Sequence, residues 1–192
     1  MSVTGRGGLS RLFEILPRAV AVVVAAAGAL VLVGWLFDVA TLKSIMPGWT
    51  LMKANTATGF ILCGIALWAI QAAGEARLWR AVGQVCSAIA LLLGLLTLGE
   101  YLSGFDFGID RLLIREVTHL PGDIPGRMAV NTALSFSAVG AALLLVIRGK
   151  GRVIPATHVL LLVPIVAAGS ALIGYGYDIE EFLREKLDYT PM

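Results

Sequence analysis

Apolar residues fall in long uninterrupted runs, and the polar residues cluster between them. Uncharged stretches run from about Ala19 to Phe37, Thr56 to Ala73, Ala81 to Gly99, Met128 to Ile147 and Val153 to Tyr177. Bilayer hydrocarbon is about 30 Å thick and takes roughly 20 residues in helical form, so each run is long enough to cross it. None shows the strict alternation of a barrel strand, and a lone strand in lipid would leave its backbone unpaired. The pattern therefore predicts an all-α polytopic membrane protein of five transmembrane helices. A segment 1–18 precedes the first span, loops 38–51 and 100–127 follow the first and third, and an amphipathic tail 178–192 ends the chain.

Composition strengthens this reading. Of 192 residues, 58% are hydrophobic and 15% charged, against roughly 25% charged in soluble domains. A globule this size could not clothe itself in a normal solvated surface. The net charge of +2 gives no basic face for nucleic acid. Arg6, Arg11 and Arg18 flank the first span, Arg77 and Arg80 the second and third, and Arg148, Lys150 and Arg152 the fourth and fifth. The positive-inside rule then places the amino terminus in the cytoplasm and the tail on the outer side. A cleaved leader would carry the same basic flank, but this span is long and belongs to a repeat.

The repeat lies in the inward spans. Met52 to Leu67 aligns with Met128 to Leu143, 76 positions later, with eight identities in sixteen, including Asn55-Thr56-Ala57 against Asn131-Thr132-Ala133. Each copy follows a Pro-Gly pair, Pro47-Gly48 or Pro125-Gly126, and each outward span ends with an aromatic residue near an acid. The expected unit is an outward helix, a loop, a Pro turn and an inward helix, arranged as parallel helical hairpins about an axis along the membrane normal. Two units are complete. The fifth span begins a third, which predicts a protein partner or a further chain segment supplying a sixth helix.

Pro47-Gly48-Trp49, Met52-Lys53, Asn55-Thr56-Ala57, Glu100-Tyr101, Gly108-Ile109-Asp110-Arg111-Leu112-Leu113, Pro125-Gly126-Arg127-Met128, Asn131-Thr132-Ala133 and Tyr189-Thr190-Pro191-Met192 together resemble a known family. It is the membrane-embedded amino-terminal sensor region, MASE-like with a repeated Asn-Thr-Ala motif, of bacterial sensor histidine kinases and diguanylate cyclases. The resemblance spans about Trp35 to Met192. It implies a sensory input module in the bacterial inner membrane, normally followed by a third inward helix and by cytoplasmic PAS, kinase or cyclase modules.

Helical spacing puts Thr56, Phe60 and Gly64 on one stripe, Asn55, Gly59 and Cys63 on the next, and Thr132, Phe136 and Gly140 beside Asn131 and Ser135 in the second copy. Small residues let helices approach, and Asn or Thr hydrogen bonds between helices contribute roughly 0.6 to 2 kcal/mol each in lipid, so packing alone accounts for these stripes. A sharper reading gathers Asn55, Thr56, Glu100, Tyr101, Asn131 and Thr132 into an outward-opening ligand pocket. Lys53 reads as a snorkelling anchor.

Ile109, Leu112, Leu113 and Val117 share one face opposite Arg111 and Arg115, and Ile179, Phe182, Leu183 and Leu187 share another, predicting two short interfacial helices. No nucleophile triad, nucleotide loop or zinc spacing is present in the sequence, and His119 lies in the outer loop while His158 lies near the inner end of the fifth span, so one ion cannot use both. The expectation is a non-enzyme without cofactor or metal, in contact with lipid. A small accessory subunit of a larger membrane complex is the alternative, and a transporter or channel a more distant one, since no charge lies near a bilayer centre.

Overall fold

A computed structural model describes residues 4–44, 51–72, 76–114, 124–149 and 155–176. The tail 178–192 and most of the predicted helix beyond Leu113 lie outside them. The order is α1 (Thr4–Leu36), α2 (Ala40–Lys43), α3 (Ala54–Ala72), α4 (Arg77–Ser103), a single 3-10 turn (Ile109–Arg111), α5 (Val130–Arg148) and α6 (Pro155–Gly176). Among the described residues there is no strand. Five helices, α1 and α3 to α6, are long and apolar enough to span a membrane.

Two of the helices clearly overrun their apolar runs. α1 starts fifteen residues before Ala19 and continues through Pro17, while α4 extends past Gly99 to Ser103. Backbone pairing within a helix does not require lipid, so a span keeps going until a breaker stops it. For α4 the breaker is Gly104, left-handed at φ 71°, whose N–H closes onto the Glu100 carbonyl.

Small residues set the packing. A Cβ on Gly28 of α1 would strike the Ala57 carbonyl oxygen and Ile61 of α3, and one on Gly94 of α4 would lie 2.5 Å from the Ala133 carbonyl oxygen of α5, against Ser137. Conversely, Gly64 of α3 leaves room for the backbone of Ala25, and Gly140 of α5 for that of Leu91. α1 and α3 thus form one antiparallel pair and α4 and α5 another. Between the pairs, Gly59 lies under the Phe136 ring, which meets Phe60 edge to face at a centroid distance of 5.5 Å. Such an aromatic contact adds about 0.5–1.5 kcal/mol to area burial. The core is otherwise built of Cys63, Ala90, Met128 and Ala133.

Asn55, at the start of α3, reaches the turn between α4 and α5, whereas Gly83, at the start of α4, meets Ala69 near the end of α3 and Ile147 near the end of α5. The described parts of both interhelical loops, 37–44 with 51–53 and 104–114 with 124–129, therefore lie at one end of the bundle, called here the crown. α6 packs on α5 and exposes most of its length, Ile165, Val166 and Leu172 included. Apolar surface this extensive is stable against lipid tails and not against water.

Candidate functional site at the crown

The crown of the first hairpin is built on α2. Gly34 makes room for it, since a Cβ there would lie 2.6 Å from Leu42. Asp38 takes a left-handed φ of 55°, which Asp tolerates better than most residues, and turns the chain. Trp35 then donates from Nε1 to the Met52 carbonyl at 2.9 Å, Lys43 lies 4.7 Å over the Trp35 ring, and Asp38 pairs with Lys43. The Lys43 hydrogen bond, with its charge, holds the Asp38 carboxyl below its ordinary value. Asp38 itself is bathed in solvent, its side chain 92% exposed.

The second crown repeats these elements with other residues. Tyr101 donates to the Met128 carbonyl at 3.2 Å, Arg127 lies 5.4 Å over the Tyr101 ring, and Asp110 pairs with Arg127 through Nε at 2.7 Å. Here, however, a second acid enters. Glu100 is fully buried, and its Oε2 lies 3.3 Å from the same Arg127 Nε.

Local geometry explains how Glu100 is held. Past the Gly104 cap, the Ser103 hydroxyl accepts from Phe105 N–H, Asp106 Oδ1 accepts from Gly108 N–H at 2.8 Å, and Gly108 turns left-handed at φ 76°. These tight turns fold the chain back so that Phe107 N–H donates to Glu100 Oε1 at 2.9 Å. Asn55 Nδ2 then donates to the Ile109 carbonyl at 3.2 Å, fastening this loop to the first hairpin. Gly126, at φ 78°, lies so close to the Asp110 carbonyl that any Cβ would collide with it. That approach brings Arg127 onto Asp110.

The electrostatics are costly for Glu100. It sits in the last turn of α4, where the helix dipole disfavours an anion, away from water and close to a second carboxylate. Arg127 and the Phe107 N–H oppose those costs. For Arg127, burial works against its charge, but the Asp110 hydrogen bond and the charges of Asp110 and Glu100 outweigh it and hold the guanidinium above its ordinary value. Two buried carboxylates share one buried guanidinium, and Glu100 Oε2 and Asp110 Oδ1 have no hydrogen-bond partner among the described residues.

The structure brings together part of the expected pocket. Glu100 and Tyr101 sit in the cluster, and Asn55 joins it through the Ile109 carbonyl. Thr56 is buried beside Asn55, while Asn131 and Thr132 are half-buried in the first turn of α5, just after Arg127 and Met128. Lys53 is buried, at 6% exposure, where a snorkelling lysine would keep its head in water. The expected helix from Ile109 is a single 3-10 turn in its described part: Leu112 is 80% exposed and Asp110 buried. Asp110 is drawn inward by Arg127, and that ion pair overrides the apolar face.

Arg127, Asp110 and Asp106 were given no role by sequence reasoning. Asp110 and Arg127 are seventeen positions apart in a loop, and no spacing rule links them. Comparison with protein-family models, with curated proteins and with solved structures finds no match to this chain.

Proposed function

We propose that the chain is a membrane-embedded sensory input module whose input site is the crown of the second hairpin. The observation that carries this reading is the buried charge imbalance of Glu100 and Asp110 against Arg127. Such an arrangement is poor for stability alone, and ionisable groups buried at the end of a membrane span are candidates for function. A stimulus acts only if it favours one of two arrangements. The link from Asn55 to the Ile109 carbonyl offers a route, because a shift of this loop pulls on α3 as well as on α4 and α5.

The matched contacts of the two hairpins support descent from one duplicated pair. Gly28 and Gly94, and Trp35 and Tyr101, stand 66 positions apart, while their partners Ala57 and Ala133, and Met52 and Met128, stand 76 apart. We read the crown as facing outward, with the amino terminus in the cytoplasm of a bacterial inner membrane, from the arginine distribution.

Hydrogen exchange on the full chain in nanodiscs tests the coupling. Glu100→Gln should change amide protection at the opposite end, in residues 66–72 and 77–83, while Leu102→Ala on the exposed face of α4 should not. Unchanged protection there in Glu100→Gln sinks the reading.

A second reading is an accessory subunit. It is favoured by α6, where a Cβ on Gly169 would meet nothing within 4 Å, whereas Gly28 and Gly94 each hold a neighbouring helix. A partner helix on this face would complete a third hairpin. Purification from native membranes with a stoichiometric companion protein would support it.

A further inference from the structure

We propose that the second crown binds one hard divalent cation, Ca2+ by its size, between the carboxylates of Glu100, Asp106 and Asp110. The ion would deepen the input site named above, and only its signalling use rests on that reading.

Three observations converge. First, one oxygen from each carboxylate lies within 4.8 Å of the others. Ca2+ bonds oxygen at about 2.3–2.6 Å, so two oxygens on one ion can be as much as about 5 Å apart, and small side-chain adjustments bring all three onto it. Mg2+, at about 2.0–2.1 Å, would need the loop to tighten and prefers to keep its waters.

Second, the buried oxygens have spare capacity. Glu100 Oε1 is taken by Phe107 N–H and Asp110 Oδ2 by Arg127, but Glu100 Oε2 and Asp110 Oδ1 have no hydrogen-bond partner among the described residues, in side chains that are at most 1% exposed. Arg127 Nε carries a single hydrogen and spends it on Asp110 at 2.7 Å, leaving Glu100 Oε2 at 3.3 Å with charge attraction only. A buried carboxylate oxygen left in that state costs free energy that an ion would recover.

Third, the cluster keeps an acidic excess. Glu100, Asp106 and Asp110 carry a formal −3 against Arg127 and the exposed Arg111, a net −1 that rises to −2 once Asp106 turns from Arg111 to the ion. Asp106 pairs with Arg111 at 3.3 Å, but both side chains are about half exposed, so that pair is weak and readily yields an oxygen. Asp106 also gives the ion a way in from solvent. The neighbouring Arg127 charge keeps affinity modest, in the range of about 10⁻⁴ to 10⁻³ M typical of extracellular Ca2+ modules.

Calorimetric titration of the purified full chain in nanodiscs with CaCl2, at fixed ionic strength in KCl and with MgCl2 in parallel, tests the site. One saturable Ca2+ site is expected, tighter than Mg2+, and weakened about tenfold or more in Asp106→Asn, a solvent-side change that leaves the buried pair in place. Absence of saturable binding up to about 10 mM Ca2+ overturns the proposal. So does an unaltered Kd in Asp106→Asn, or tighter binding of Mg2+ than of Ca2+. Ca2+ binding with no change of exchange at the far end would sink the input reading and leave the cation site standing.

Discussion

The two crowns are built on one plan and differ in a single structural decision. In both, an aromatic residue at the end of the outward helix donates to the carbonyl of a methionine that precedes the inward helix, a cation covers the ring, and an acid holds the cation. Just before the aromatic residue, the first hairpin has Gly34 and the second has Glu100. The glycine admits α2 against α1, which leaves the pairing acid, Asp38, in water. The glutamate puts a charge where the glycine puts space, and the following loop must wrap around it. One crown is a clasp with a buried lysine and an acid in water; the other is a buried, over-acidic cluster. The contrast teaches that a shared hydrogen-bond frame tolerates very different electrostatics at its centre.

The largest expected effect breaks this comparison directly. Arg127→Met strands two buried carboxylates and should cost about 3–5 kcal/mol of unfolding free energy in mixed micelles. Lys43→Met releases an acid already in water and should cost far less. Equal losses would show that the two crowns do not differ in kind.

Glycine substitutions give the next largest effect. Gly126→Ala adds both a strained φ and a collision with the Asp110 carbonyl, and should cost about 1–3 kcal/mol. Gly104→Ala has an equally positive φ but open space around it, so its cost should stay at the lower end, about 1 kcal/mol. Denaturation midpoints of the two variants separate strain from crowding.

Removing the shared hydrogen bond sharpens the likeness instead. Tyr101→Phe should cost about 1 kcal/mol, and Trp35→Phe somewhat more, since ring area is lost as well. The losses should add in the double variant if the crowns are energetically independent, and a non-additive result would reveal coupling through Asn55.

The smallest effect is one of pH. Because Lys43 lowers the folded pKa of Asp38, the pair's stabilisation is complete above the ordinary carboxylate range and fades as pH falls through that lowered value. Exposure keeps it slight. Asp38→Asn should flatten the acid side of the stability profile only marginally, and a steep change would mean that Asp38 is less solvated than its position indicates.

The spans were legible because twenty apolar residues in a row admit few other structures, and the small-residue stripes because helical spacing places Gly64 and Gly140 on buried faces. Spacing did not reveal which neighbour each glycine serves: Gly59 accommodates α5, and Gly64 accommodates α1. Within the candidate site, Glu100 and Tyr101 could be read as chemistry at a span end. Their partners could not. The crown cation comes from Lys43 in α2 in one hairpin and from Arg127 beside the Pro-Gly turn in the other, positions that no repeat alignment equates. Asp110 was lost for a related reason, since an apolar pattern around it suggested a helix whose polar side faced water.

α1 has a reach that the other helices lack. Its 33 residues, at about 1.5 Å each, make a rod of about 50 Å, some 20 Å more than the hydrocarbon it crosses. Gly28 seats this rod on α3 and Gly34 seats it on α2, both in its carboxyl-terminal third. A small change of tilt where it meets α3 would carry the amino-terminal end of a rod this long through a larger arc.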